Sequence, residues 1–257
     1  MCGRYASSRK PEDLVEEFEV DRVTVPAPLE PDYNVAPTKE VYAVLDRKPR
    51  DLPPDAPAER RLAAVRWGLV PSWAKDPGIG ARMINARVET LATKPAFRRA
   101  FAKRRCLLPA DGYFEWYPTE QLGKSGKPLK QPFFIRPSDG GGLAMAGLYE
   151  IWRNNDVAED QDGAFLWTAT VITTSAEDDL GRIHDRMPML VEPDRYSAWL
   201  DAGVTDPSDV GDLLVPAAPG RLEAYPVSTE VNNVRNNGAA LLDRLASEGA
   251  SDALFDA

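Results

Sequence analysis

The chain of 257 residues has few of the side chains that build metal sites and disulfide frameworks, with two cysteines and one histidine. A closed zinc site needs four such ligands, and two cysteines cannot form a disulfide framework. The sequence also lacks a run long and apolar enough to span a membrane, and its first residues do not resemble a signal peptide. We therefore predict a cytoplasmic protein with reduced thiols and with no metal, cofactor or membrane association.

The net charge of −9 hides an uneven distribution of charge along the chain. Residues 61–136 carry 15 Lys and Arg against 5 Asp and Glu, a local balance of +10, while the remaining residues have a balance of −19. The overall charge argues against a nucleic-acid partner, whereas the basic segment favours one. Hydrophobic residues make up 43 % of the chain, enough for a sizeable core, which excludes a disordered protein.

Hydrophobic periodicity predicts strands that cluster together and short helices that flank them. Helices are predicted at 11–19, 93–105, 176–183, 193–200, 206–214 and 239–247. Strands are predicted at 41–45, 62–67, 106–109, 112–117, 132–136, 143–150 and 165–172. Without βαβ alternation, this order predicts an α+β fold, a single domain built on a mostly antiparallel sheet or open β-barrel. We expect the domain to cover residues 1–240, and residues 241–257 to form a helix end and a frayed tail.

Cys2 carries the most unusual chemistry of the sequence. Removal of the initiator Met, usual before a small second residue, would leave an α-amine whose ordinary pKa is close to that of the thiol. Such a 1,2-aminothiol condenses with an aldehyde through its amine and then closes a five-membered thiazolidine ring through its thiol. An incidental cysteine at a frayed end is the alternative.

Four further residues are candidates for a site. His184 is the lone histidine and lies in a charged loop, where it suits proton transfer, although a lone His is often a core or capping residue. Glu115 alternates with aromatic residues on a strand, which favours a raised pKa, unless the strand face is exposed. Asn85 can orient a substrate but is also a common turn residue. Trp73, in a loop punctuated by Pro and Gly, can stack on an unpaired base or anchor the loop in the core.

An ordered set of short motifs resembles the SRAP family, which is named for SOS response-associated peptidases. The motifs are MCGRY at 1–5, YNVAP at 33–37, WGLVPSW at 67–73, INARVET at 84–90, RRCLLPADGYFEWY at 104–117, PFF at 132–134, TTSA at 173–176, IHDRMP at 183–188, PVS at 226–228 and VNNVRNNG at 231–238. Each motif is short, but their order along nearly the whole chain is specific. Some family members carry Trp-Trp where this chain has Trp73 and Ala74.

The resemblance implies recognition of abasic sites in single-stranded DNA and a thiazolidine crosslink through the mature Cys2, which shields the lesion. It also implies a monomer that is associated with the nucleoid when bound to DNA. By motif, Asn85 would contact the sugar, Glu115 would act as acid and base, and His184 would assist proton transfer. The family positions on the DNA-binding face are matched here by Arg4, Trp73, Arg87, Thr173 and Arg186.

Several alternatives to a crosslinking protein stay open. A cysteine, a histidine and an acid also suit a thiol peptidase that removes its own Met1, and an imine-forming protein can act as a lyase. A mature Cys followed by Gly also opens amidotransferases with an N-terminal nucleophile, although the later motifs do not resemble them. A non-covalent DNA-binding module is favoured if Cys2 proves to be buried and unreactive.

Overall fold

The computed structural model describes residues 2–48, 53, 57–176 and 180–246, and these adopt the predicted α+β fold. The strands are β1 Tyr5–Ser7, β2 Arg22–Val23, β3 Asp32–Val35, β4 Glu40–Arg47, β5 Glu59–Trp67, β6 Asn85–Arg87, β7 Arg105–Ala110, β8 Gly112–Leu122, β9 Pro128–Pro137, β10 Leu143–Arg153, β11 Phe165–Ser175, β12 Arg186–Pro188 and β13 Leu222–Pro226. The helices are α1 Pro11–Glu17, α2 Arg98–Lys103, α3 Leu180–Ile183, α4 Tyr196–Leu200 and α5 Pro207–Asp212. Short 3₁₀ turns lie at Pro77–Arg82, Val88–Thr90, Pro193–Arg195, Thr229–Asn232 and Ala239–Leu242. None of the helices described is long and apolar enough to cross a membrane.

Five strands, β4, β5, β7, β10 and β11, form a barrel. Four of the pairings around it are antiparallel, as predicted, in the order β11–β10–β7–β4–β5. A short parallel pairing joins the two ends of that row, because Arg66 and Trp67 of β5 pair with Thr168 and Ala169 of β11. The barrel is therefore closed. β6 and β12 extend it at β11, where β6 runs parallel and β12 antiparallel to that strand.

A second sheet, which is antiparallel, brings the N-terminal strand to the centre of the fold. Its order is β13–β9–β8–β1–β3, so β1 lies between β8 and β3. Tyr5 of β1 pairs with Tyr113 of β8 on one side and with Val35 of β3 on the other. Residues 2–4 are thus held beside the part of β8 that carries Glu115.

Side chains alternate between the two faces of the barrel wall. One buried cluster fills the interior of the barrel. It contains Ala43, Ala63 and Trp67, which point inward from β4 and β5. The small alanines leave room for the indole ring. Leu62 and Leu107 point the other way and belong to the cluster that packs against the helices. The short helices therefore cover the outside of the barrel.

Several of the predicted helices are shorter in the structure. The helix predicted at 93–105 contains only α2, because residues before it form turns and Arg105 already pairs with Leu148 of β10. The helix predicted at 239–247 is a single 3₁₀ turn, and its residue 247 lies outside the described residues. Of the helix predicted at 176–183, residues 177–179 lie outside the described residues, residue 176 is not helical, and α3 forms residues 180–183.

Arg105 ties the outer helices to the barrel through a buried guanidinium group. The residue is 2 % exposed. Its Nε donates to the Trp199 carbonyl at 2.6 Å and its Nη1 to the Phe101 and Ala102 carbonyls at 3.0 Å each. Its Nη2 donates to the carbonyl of Asp201. One side chain thus satisfies carbonyl groups at the ends of two helices.

We expect Arg105→Met to lower the free energy of unfolding by about 3 kcal/mol, because an apolar side chain leaves these buried carbonyl groups without donors. Urea unfolding followed by circular dichroism measures the change. The control is Arg98→Met, an exposed position on α2, for which we expect a change within about 0.5 kcal/mol. Equal losses for the two variants would contradict this role of Arg105.

Candidate functional site

Cys2 is fully buried at the junction of the barrel and the second sheet. Its side chain has 0 % exposure and belongs to the cluster that contains Tyr5, Trp67 and Tyr113. Burial raises the pKa of the Cys2 thiol, and the charge of Glu115 raises it further. The thiol is therefore protonated and shielded. Burial is one of the two conditions that favour a non-covalent DNA-binding module, and the other is that Cys2 is unreactive. Both cysteines are free thiols.

Asn85 contacts the backbone of Cys2. β6 holds Asn85 opposite Val171 of the barrel strand β11. The Asn85 Nδ2 donates to the Cys2 carbonyl at 2.7 Å. Its Oδ1 is buried and accepts no hydrogen bond from the described residues. This amide therefore fixes the position of Cys2 and still presents one acceptor to the site.

Glu115 is a buried carboxyl group whose ionisation is balanced near neutral pH. It is 4 % exposed and lies opposite Phe133 of β9. Burial raises the pKa of Glu115 to about 7, although the charge of the amino terminus acts in the opposite direction. Both protonation states are thus populated near neutral pH, as a group that donates and accepts protons requires.

His184 follows α3 and is held in its neutral form. Its Nδ1 accepts a hydrogen bond from the Arg186 backbone N–H at 3.0 Å, which leaves the proton on Nε2. Burial lowers the pKa of His184. The Asp185 carboxylate also lies 3.0 Å from Nδ1, but its side chain is 85 % exposed, so solvent weakens its attraction for a proton there. Asp185 also raises the pKa of Glu115. The charge of one carboxylate therefore acts on the pKa of both His184 and Glu115.

Arg87, Thr173 and Arg186 come together where β6, β11 and β12 meet. Thr173 pairs with Arg87 on one side and with Pro188 on the other. The guanidinium of Arg186 binds the Glu89 carboxylate, with Nη1 and Oε1 2.5 Å apart, and its Nη2 donates to the Thr173 carbonyl at 2.6 Å. Three of the residues predicted to face DNA therefore lie side by side at this edge of the barrel.

The three residues differ in how accessible they are to a DNA strand. Arg87 is exposed, whereas Thr173 is fully buried and contacts the guanidinium of Arg186. The Arg186 side chain lowers the pKa of Glu89, as expected for a paired carboxylate. Arg87 is thus the exposed cation of this group, and Arg186 is already engaged by Glu89.

Arg4 serves as a link between the two ends of the chain. Its Nη1 donates to Asn34 Oδ1 at 2.6 Å and to the Val231 carbonyl at 3.0 Å, and its guanidinium lies 5.8 Å from the centre of the Trp116 ring. Trp116 in turn donates from Nε1 to Asn232 Oδ1 at 2.6 Å. Arg4 therefore holds strands β3 and β8 and the turn at Val231 together next to Cys2.

Asn34 is a structural residue of the site that the sequence analysis did not single out. It is fully buried, and its Nδ2 lies within hydrogen-bond distance of the carbonyl oxygens of Val231, Asn233 and Asn236, at 3.2, 3.0 and 3.0 Å. The signal was present in the sequence as a polar residue inside a short strand, in the motif at 33–37. A buried amide must find partners, and here they come from the far end of the chain.

Trp73 lies apart from these buried residues, in the turn that follows β5. Its side chain is 58 % exposed. This exposure agrees with an aromatic ring available on a loop and excludes the alternative that Trp73 anchors the loop in the core. The described residues contain no group of three or more His, Cys, Asp or Glu side chains arranged to hold a metal ion.

Comparison with known proteins gives one family and a set of relatives. Residues 1–234 match the family model described as SOS response associated peptidase (SRAP). The chain is 37 % identical to the abasic site processing protein YoaM of Bacillus subtilis, over 95 % of this chain and 98 % of that protein. It is 34 % identical to the abasic site processing protein YedK of Escherichia coli, over 94 % and 99 %. A crystal structure of a Bacteroides thetaiotaomicron protein has the same fold, with a TM-score of 0.77 at 22 % identity, over 95 % of this chain and all of that one.

The raised pKa of Glu115 predicts a pH dependence of stability. Between the ordinary pKa of a glutamate and about 7, the folded protein retains a proton that the unfolded chain has released. The contribution of Glu115 to the free energy of unfolding therefore falls as the pH rises through this interval and is constant above it. Glu115→Gln lacks this dependence, so we expect its stability relative to the wild type to rise over the same interval.

Urea unfolding at a series of pH values measures this difference. The control is Glu120→Gln, because Glu120 is an exposed residue on the same strand. A stability difference between the wild type and Glu115→Gln that stays constant with pH would show that the carboxyl group is not buried as described.

Proposed function

Because this chain belongs to the SRAP family, we propose that it recognises abasic sites in single-stranded DNA and forms a covalent thiazolidine with them through Cys2. The observation that carries the proposal is the buried group formed by Cys2, the Asn85 amide that holds its carbonyl, and Glu115 with a pKa of about 7. The relatives YoaM and YedK are named as abasic site processing proteins, which supports the substrate.

The reaction begins with removal of Met1, which converts the amide nitrogen of Cys2 into an amine. An abasic deoxyribose is in equilibrium with its open aldehyde. The amine attacks the aldehyde carbon to form a carbinolamine. The hydroxyl group leaves as water after it takes a proton, and an imine results. Glu115, with a pKa of about 7, is suited to donate that proton.

The thiol of Cys2 completes the linkage. Sγ adds to the imine carbon, its proton passes to the nitrogen, and the five-membered ring closes without an oxidant or a reductant. Burial keeps the Cys2 thiol protonated before the reaction. The imine nitrogen accepts the thiol proton as Sγ becomes the thiolate that attacks, so the step needs no separate proton donor.

The neighbouring side chains position these groups. Asn85 holds the Cys2 carbonyl, and its Oδ1 can accept a hydrogen bond from a sugar hydroxyl. The neutral His184 presents the proton on Nε2 and relays protons during imine formation. Arg87 and Trp73 are exposed, so they are suited to a phosphate group and an unpaired base. The protein would act as a monomer.

A thiol peptidase is the weaker candidate. Its nucleophile would have to be a thiolate activated by a neighbouring base. Here burial raises the pKa of the Cys2 thiol, and the described hydrogen bond of Sγ is a long one of 4.0 Å to the Arg4 carbonyl.

We expect the wild-type protein to form a heat-stable adduct with a single-stranded oligonucleotide that contains one abasic site. Cys2→Ala should form none, because its amine can give only a reversible imine. Cys106→Ala is the matched control, since Cys106 is the other buried cysteine, and it should crosslink like the wild type. Denaturing gels and intact-mass spectrometry measure both adduct formation and the loss of Met1. A heat-stable adduct of Cys2→Ala at the wild-type level would overturn the role of the thiol.

The proton donated by Glu115 predicts a second dependence on pH. Above about pH 7 the protonated fraction of Glu115 falls, so the ratio of the wild-type crosslinking rate to that of Glu115→Gln should fall roughly tenfold per pH unit. The charge of the amino terminus interacts with Glu115, so the ionisation of the Cys2 amine is measured separately in each protein and divided out of its rate. Single-turnover rates over a pH series measure it. A ratio independent of pH would assign the proton to another group.

A further inference from the structure

The barrel has an opening at the end away from Cys2. Arg47, Arg61 and Trp167 continue the interior positions of their strands at this end, and they line a cavity of about 370 Å³. We call this cavity the distal mouth, and its main lining residues are Arg22, Arg47, Lys48, Arg61, Phe165 and Trp167. Arg61 lies six residues from Trp67, the neighbour of Cys2 in the barrel cluster, so about 20 Å of strand separates the two ends.

The distal mouth is rich in positive charge. Arg22 and Arg61 share one carboxylate, that of Glu59, at 3.6 and 3.0 Å, and Lys48 adds a further cation. The Nε of Arg61 is buried and donates to no acceptor in the described part of the chain. A buried donor without an acceptor is unusual in a folded protein. An anion in the cavity would supply that acceptor.

Aromatic rings stand beside these cations. Trp167 is stacked on Tyr149, with ring centres 5.8 Å apart and planes at 8°, and the Arg47 guanidinium lies 4.7 Å from the centre of the indole. Phe165 lies at the rim and is 36 % exposed. Cations next to an accessible aromatic ring are the combination that binds the phosphate and the base of an unpaired nucleotide.

We propose that the distal mouth binds one nucleotide of single-stranded nucleic acid, with its phosphate on Arg22, Lys48 and Arg61 and its base against Phe165. The site is separate from the buried cluster at Cys2, so it would give the protein a second hold on the strand. The proposal goes beyond the proposed function and does not depend on crosslinking, because undamaged strands would bind there too.

The first test measures the affinity for an undamaged oligothymidine of about 20 nucleotides by fluorescence anisotropy. We expect Phe165→Ala to weaken binding about tenfold. We expect Arg22→Gln to weaken it and to reduce the slope of log affinity against log salt by about 0.7. Circular dichroism establishes that both variants fold.

Two matched controls distinguish the loss of a contact in the distal mouth from the loss of an apolar side chain or a positive charge elsewhere on the surface. Val23→Ala removes an exposed apolar side chain of the same strand as Arg22, and Val23 does not line the cavity. Arg244→Gln removes one positive charge from a side chain that is 60 % exposed and pairs with Glu223. Both should bind within about twofold of the wild type.

The second test locates the contact directly. An undamaged strand that carries iodouracil is irradiated on the full-length protein, and the crosslinked peptides are identified by mass spectrometry. We expect a peptide that contains Phe165 or Trp167. Wild-type affinity in Phe165→Ala and Arg22→Gln, or photocrosslinks confined to the Cys2 end, would overturn the proposal. Failure of the abasic-site crosslink would leave this result unaffected, so the two proposals fail separately.

Discussion

The parallel pairing of β5 with β11 is the constraint on which the rest of the structure depends. It closes the barrel at Trp67, and β6 then occupies the next residues along the same edge of β11. The chain must therefore turn sharply at Gly68, whose φ of +128° and close approach to Gly80 leave no space for a Cβ. As a result Trp67 packs edge-on against Tyr5, with ring centres 4.9 Å apart, and Asn85 reaches the backbone of the N-terminal segment.

The buried cluster couples the charge of the amino terminus to the acid and to the thiol. Burial raises the pKa of both Glu115 and Cys2, and a charge on Glu115 raises that of the thiol further. The positive amino terminus opposes both shifts. Loss of Met1 would place that charge on Cys2 itself, one residue nearer to the thiol. Processing would thus change the electrostatics of the site together with its covalent chemistry.

The sequence predicted the fold class and most of the strands, because residues that alternate between a buried and an exposed face alternate between apolar and polar types. It could not predict which charged side chains are buried or paired within the protein. Arg105 counts toward the basic segment, yet it is buried among carbonyl groups, and Arg186 is paired with Glu89. Charge per segment therefore overstates the charge that a DNA strand meets. The burial of Cys2 and the contacts of Asn34 were equally hidden, since both depend on residues far away along the chain.

The link between Arg4 and Val231 spans 227 positions of the sequence. On a ribosome that adds about 5 to 20 residues per second, the two partners are made about 10 to 45 seconds apart. During that interval the N-terminal segment has no C-terminal turn to bind. Strand β1 and the residues beside Cys2 therefore lack this anchor for most of the time that the chain is being made. The order of synthesis itself sets the moment at which the N-terminal strand can be fixed, because its partner turn is made long after it.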